Sequence, residues 1–287
     1  MNHPLNPSGK ASLYGGPGII PESFGVIHAF VRVGQAEMYQ EFGSKTTPSG
    51  DGDPVGTLVN QIPLSPNPID EWNADNNNAR PIYRADAYSS GYPALEFDGV
   101  DDRVRFYNFQ LAFEEIDASG YTLYVVWYPQ EQNTYGTISL NGVPNQNEHS
   151  SIWQYQTVPD DGSIGMFVRE EAASEVNGVH WKSGTYDYVV NPGPHVIGVS
   201  FDTVANDVQP LYGYTDKEGA HLASVSNIVT NSMHRWSTMI FGGDSWAGGA
   251  SNHWQAGFLH AAILYEGIHS NSTIQALVTR IKNEWYP

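Results

Sequence analysis

Three carboxylates crowd one glycine-containing turn, Asp98-Gly99-Val100-Asp101-Asp102. Carboxylate oxygens gathered this way suit a hard cation such as calcium, which takes about six to eight oxygen ligands. The same residues also make an ordinary β-turn, with Asp98 accepting hydrogen bonds from nearby backbone N–H groups and Gly99 at positive φ. The spacing is not that of an EF-hand. Both readings stay open for Asp98, Asp101 and Asp102, and Asp51-Gly52-Asp53 poses the same choice.

Other catalytic chemistry finds little support. Glu114-Glu115-Ile116-Asp117 is the nearest approach to the paired carboxylates that flank a glycosidic bond. The 10 histidines form neither His-x-His nor His-Glu-x-x-His, and His253 and His260 are not at a zinc spacing. Ser163-Ile164-Gly165 and Ser200 lack the Gly-x-Ser-x-Gly elbow of a hydrolase nucleophile. Without cysteine, disulfides, thiolate metal sites and cysteine nucleophiles are excluded.

Aromatic residues are the better functional material. Trp153 and Tyr155 alternate on one strand face, and Trp181, Tyr186, Tyr188, Trp236, Trp246 and Trp254 fall in or near loop-like stretches. Exposed rings stack on sugars and anchor protein interfaces, while buried ones simply fill a core. Asp244-Ser245-Trp246-Ala247-Gly248-Gly249 and Asn252-His253-Trp254 make a polar, aromatic loop pair. A sugar site is expected at Trp153, Tyr155, Trp246, His253 and Trp254.

Strands must position these loops. In Tyr121–Tyr128, Leu123, Val125 and Trp127 share one face while Tyr124, Val126 and Tyr128 share the other. Both faces are apolar, which predicts a central strand covered on both sides. Val196–Phe201 sends Ile197, Val199 and Phe201 one way, and Gly198 and Ser200 the other. Ser237–Phe241 and Leu259–Tyr265 repeat the pattern, and Asn141-Gly142 and Asp161-Gly162 are hairpin-type turns. A helix is predicted near the end of the chain. Ile274, Leu277, Val278, Ile281 and Trp285 form one stripe, Asn271 or Ser272 serves as N-cap, and Arg280 and Lys282 lie late in the helix. Residues 1–30, rich in Gly and Pro, read as an extended arm, floppy or docked on a neighbouring subunit.

Composition agrees with a folded β-chain: of 287 residues, 40% are hydrophobic and 15% charged, with abundant Gly, Pro, Tyr and Trp. The net charge of −18 disfavours nucleic acid. The first ten residues do not resemble a secretory signal, and no stretch of about 18 apolar residues spans a membrane.

Two stretches resemble a known family. Arg80-Pro81-Ile82-Tyr83, followed by Pro93-Ala94-Leu95-Glu96-Phe97-Asp98-Gly99-Val100-Asp101-Asp102-Arg103-Val104, resembles the opening of laminin-G-like, concanavalin A-like domains. Asp117–Tyr128 looks like their turn and long central strand, and Ala262-Ile263-Leu264-Tyr265-Glu266 with the terminal helix looks like their close. Upstream, Phe42, Thr46, Thr47, Pro48, Gly52, Asp53, Pro54, Val55 and Gly56 resemble a segment found before this domain in bacteriophage tail and virion proteins. The Asp-x-Ser-Gly-x-Gly continuation of that segment is absent.

The resemblance implies an all-β, two-sheet antiparallel jelly-roll sandwich over residues 31–287, with a C-terminal amphipathic helix and the N-terminal arm. It implies a non-enzymatic virion structural protein on the particle exterior: a capsid decoration, head fibre or tail-associated protein. Such a protein forms a homo-oligomer and contacts capsid or tail subunits, with host-surface glycan and calcium as further ligands. A lectin-like carbohydrate-binding protein is the alternative. A glycan hydrolase or lyase ranks behind both, because glucanases of similar fold use Glu-x-Asp-x-x-Glu and here Ala118-Ser119-Gly120 follow Asp117.

Overall fold

The computed structural model describes residues 27–61, 71–74, 76–87, 91–107, 120–129, 138–141, 149–156, 163–166, 181–182, 195–202, 209–215, 219–222, 238–242 and 256–286. Its strands are β1 (Ile27–Arg32), β2 (Met38–Tyr39), β3 (Thr57–Val59), β4 (Glu71–Ala74), β5 (Ile82–Arg84), β6 (Ala94–Asp98), β7 (Val104–Tyr107), β8 (Gly120–Pro129), β9 (Ile138–Asn141), β10 (His149–Gln156), β11 (Ser163–Met166), β12 (Trp181–Lys182), β13 (His195–Asp202), β14 (Gln209–Thr215), β15 (Gly219–Leu222), β16 (Thr238–Phe241) and β17 (Ala256–Glu266). One helix, α1 (Asn271–Trp285), follows.

Two antiparallel sheets form, as expected of a β-sandwich. Among the described residues one has eight strands in the order β15-β14-β13-β8-β17-β6-β5, with β1 also paired to β17. The other has nine, in the order β12-β11-β10-β9-β16-β7-β4-β3-β2. Consecutive strands pass repeatedly from one sheet to the other, which is how a sandwich closes over one core. Of the expected arm, residues 27–30 belong to β1, whose Phe30 pairs with Ile263. Residues 1–26 lie outside the described residues.

The two-sided reading of β8 holds. Leu123, Val125 and Trp127 are buried on one face, and Trp127 meets Phe97 of β6 at 5.5 Å. Phe97 also reaches the end of the second sheet: a Cβ on Gly242 would lie 2.2 Å from its ring. On the other face, Tyr124 and Val126 join Phe30, Val196, Ala261, Ile263 and Tyr265 beneath α1. Ten consecutive residues of β17 are buried, because this strand too is covered on both faces.

The apolar stripe of α1 behaves as its spacing predicts. Ile274, Leu277, Val278, Ile281 and Trp285 are all buried against the eight-stranded sheet. Each fully buried apolar side chain of this size contributes about 1.5–3 kcal/mol. The N-cap is Ser270, whose hydroxyl accepts from the Thr273 N–H at 3.2 Å, not Asn271 or Ser272. Ser272 instead meets the cap hydroxyl at 2.9 Å. Arg280 pairs with Glu284 one turn later.

The upstream motif has a structural task. Val55 donates to the Pro81 carbonyl at 2.8 Å, and Pro54 bridges Ile82. Residues 52–56 thereby tie β3 of one sheet to β5 of the other. Gly56 allows this crossing, since a Cβ there would lie 2.3 Å from the Glu41 backbone.

Candidate functional site

The acidic turn sits where β6 of one sheet hands the chain to β7 of the other. Ligand atoms of Asp98, Asp101 and Asp102 all lie within 4.8 Å of one another. Asp98 is exposed and Asp102 is buried. The turn's own backbone claims part of their bonding capacity. Asp98 Oδ1 accepts from the Val100 N–H at 2.7 Å and the Asp101 N–H at 3.3 Å. Asp102 Oδ2 accepts from the Asp98 N–H at 3.0 Å. Gly99 has φ +75°, and a Cβ on it would meet the Ala256 backbone at 2.8 Å. These are the features of the self-satisfied turn.

Electrostatics single out Asp102. Burial pushes its carboxyl up to about 7. The Asp98 N–H opposes this, and the Asp98, Asp101 and Glu96 carboxylates add to it. A cation seated here would invert the balance by favouring the ionised form. Two carboxylate oxygens are already engaged with backbone, so a hard cation would have to complete its shell with water or carbonyls.

Asp51 and Asp53 also support the backbone. Asp53 Oδ2 accepts from the Gly50 N–H at 2.9 Å and from Gln40 Nε2 at 3.0 Å. Asp51 Oδ1 accepts from the Ala85 N–H at 2.8 Å. Nearby, Arg80 of the family-like motif donates through Nη1 to the Gln40 carbonyl at 2.7 Å.

Trp153 and Tyr155 fall on β10, two residues apart as expected, with Trp153 opposite Ile138 and Tyr155 opposite Ile164. Trp181 is on β12. Tyr186, Tyr188, Trp236, Trp246, His253, Trp254 and the Glu114–Asp117 segment lie outside the described residues. Ser163–Gly165 forms part of β11. The Ser200 hydroxyl is buried 2.7 Å from the Thr122 hydroxyl.

That pair belongs to a polar knot that the sequence pattern did not reveal. The His269 N–H lies 3.0 Å from both Thr122 Oγ1 and Ser200 Oγ. Ser200 donates to the His269 carbonyl at 3.0 Å, and Thr122 donates to that of Gly267 at 2.9 Å. His269 Nδ1 lies 2.8 Å from the Tyr124 hydroxyl. The only hint was the small, polar side of β13, Gly198 and Ser200, which makes room for the loop before α1.

Among solved structures, a Trypanosoma rangeli sialidase in complex with 2,3-difluorosialic acid is similar over 95% of this chain, with TM-score 0.56 and 11% identity. The matched region is 36% of that protein, so the chain spans about a third of the sialidase's length. A second T. rangeli sialidase structure gives TM-score 0.52 at 10% identity over 95% of this chain and 36% of its own. The CBM40 of a Ruminococcus gnavus IT-sialidase matches 64% of this chain and 96% of itself, with TM-score 0.46 and 12% identity. No family model matches the chain, and no curated protein matches it significantly. Among the described residues, no helix is long and apolar enough to cross a membrane.

Proposed function

We propose that this protein is a lectin-like β-sandwich that works by adhesion, holding carbohydrate without cutting it. The supporting observation is that nearly the whole chain resembles in fold about a third of a sialidase. A module of this size, matched to part of a much longer glycan-processing protein, suits a binding partner of such chemistry. The acidic turn fits the same reading, because its hydrogen bonds shape a loop between the sheets. The sugar is held by stacking on Trp153 and Tyr155 of β10 and on Trp246, His253 and Trp254 of the chain segment before β17. Calcium at Asp98, Asp101 and Asp102 is not needed to shape this turn, which its own hydrogen bonds hold, and would act there only as a structural cation.

Glycan-array binding tests the reading. The intact chain should bind a defined set of glycans, and Trp246→Ala and Trp254→Ala should weaken that binding without changing the fold. Unchanged binding in both variants would remove Trp246 and Trp254 from the site.

The sequence resemblance supports a particular setting, the exterior of a bacteriophage particle, with copies of the chain held to capsid or tail subunits by the N-terminal segment. Because β1 begins at Ile27, the informative truncation removes residues 1–26 and leaves the strand intact. Loss of particle incorporation with retained glycan binding supports this setting, and unimpaired incorporation counts against it.

A further inference from the structure

We infer that Arg32, at the C-terminal end of α1, anchors a second ligand site that takes the carboxylate of an acidic sugar. That the ligand is a sugar rests on the adhesive reading above. That it carries a carboxylate rests on the surroundings of Arg32 itself.

Arg32 is the last residue of β1 and shares a face of that strand with Phe30. Phe30 meets Trp285 at 5.9 Å, and the Arg32 guanidinium lies 4.4 Å from a ring centroid of the same indole. The guanidinium also donates to the hydroxyl of Tyr286, the C-cap of α1. Cation–π stacking and this hydrogen bond hold the planar group in one orientation before a ligand arrives. The backbone beneath it is fixed too. The Arg32 N–H donates to Gln61 Oε1, and the Val33 N–H donates to the His260 carbonyl at 2.9 Å.

A half-buried guanidinium ordinarily has an acid beside it. The ion pairs among the described residues are Lys45–Glu71, Arg84–Glu96 and Arg280–Glu284, and Arg32 belongs to none of them. Burial lowers the pKa of Arg32, and among the described residues Tyr286 alone opposes that effect. In a chain with 31 acidic and 13 basic residues, a half-buried cation without a carboxylate is an exception. The carbonyl end of α1 offers partial negative charge that suits a cation, but no full charge to match it. A guanidinium carries several N–H donors, and no Arg32 side-chain nitrogen is both buried and unpartnered. The donors that Tyr286 does not take therefore open to solvent.

These donors fit a carboxylate, which lies in the guanidinium plane and accepts two parallel N–H bonds. The net charge of −18 repels polyanions, so a ligand with a single carboxylate is favoured over a sulfated or phosphorylated polymer. Tyr92, half-buried just before β6, lies edge-on to Tyr286 at 5.1 Å. It adds aromatic surface for the C–H groups of a sugar ring.

NMR titration of the intact chain with methyl β-D-glucuronoside, and with the matched neutral methyl β-D-glucoside, tests this. The glucuronoside should bind at least about tenfold more tightly, the increment of one charge-assisted pair. It should also move the Arg32 Nε–H and Trp285 indole resonances. Arg32→Gln should bring the two sugars to equal affinity. Arg32→Lys keeps the charge but not the planar fork, so it should lose most of the preference. Equal affinity of the intact chain for the two sugars would overturn the inference and leave the adhesive reading standing. So would a preference that survives in Arg32→Gln, or acetate binding at Arg32 as tightly as the glucuronoside. Absence of binding to any glycan would remove the adhesive reading as well. If the variants fail to fold, the wild-type Arg32 resonance decides alone: it should move with the glucuronoside and stay in place with the glucoside.

Discussion

Gly198 lies directly beneath Ile274: a Cβ on Gly198 would fall 2.7 Å from Ile274 Cγ2 and 2.7 Å from Tyr124 Cε1. The helix rests on this strand only because β13 presents no side chain there. Gly198→Ala is therefore expected to destabilise the chain by about 1–3 kcal/mol through overpacking. Denaturant unfolding should show a lower midpoint at unchanged slope.

The helix start offers a second test. Ser270→Ala removes the hydroxyl that accepts from the Thr273 N–H and should cost about 1 kcal/mol. Asn271→Ala should cost much less if Ser270 is the cap. Equal losses in thermal melts would show that the cap is shared.

Asp102 gives a pH dependence of defined sign. Its carboxyl titrates at about 7 in the fold against 3.8 ordinarily, so the folded state favours the protonated form. That contribution is complete below about pH 4 and is lost as pH rises to about 7. Asp102→Asn should therefore gain stability relative to wild type across this window, on the order of a few kcal/mol at about pH 8. A difference that does not change with pH would contradict the assignment.

The acidic turn is satisfied by its own backbone, so millimolar calcium is expected to leave the melting temperature unchanged. The most demanding condition is about pH 8, where Asp102 is ionised. A rise there that Asp101→Asn abolishes would instead assign a structural cation to the turn.

Trp285 closes the C-terminal end of α1, 5.9 Å from Phe30 and under the Arg32 guanidinium. Trp285→Ala should cost about 3–5 kcal/mol. Trp285→Phe, which keeps an aromatic face, should cost clearly less in the same denaturant series.

The periodic features were legible in the sequence because their signals are local. The alternation of Leu123, Val125 and Trp127 against Tyr124 and Val126, and the 274–285 stripe, each follow from the repeat of a single element. The choice between turn and cation site at Asp98–Asp102 required knowing which backbone N–H groups come within reach. The polar knot around His269 was hidden for another reason. His269 meets Thr122 and Ser200 across 147 and 69 residues of chain, which no local spacing rule spans.

Adhesion without cleavage is tested most directly by incubating the intact chain with an array-positive oligosaccharide and following the sugar by NMR. The expected result is saturable line broadening of the ligand resonances with the oligosaccharide unchanged over hours. New reducing-end or unsaturated-sugar signals growing with time would contradict the proposal, as would the absence of any binding to the glycan.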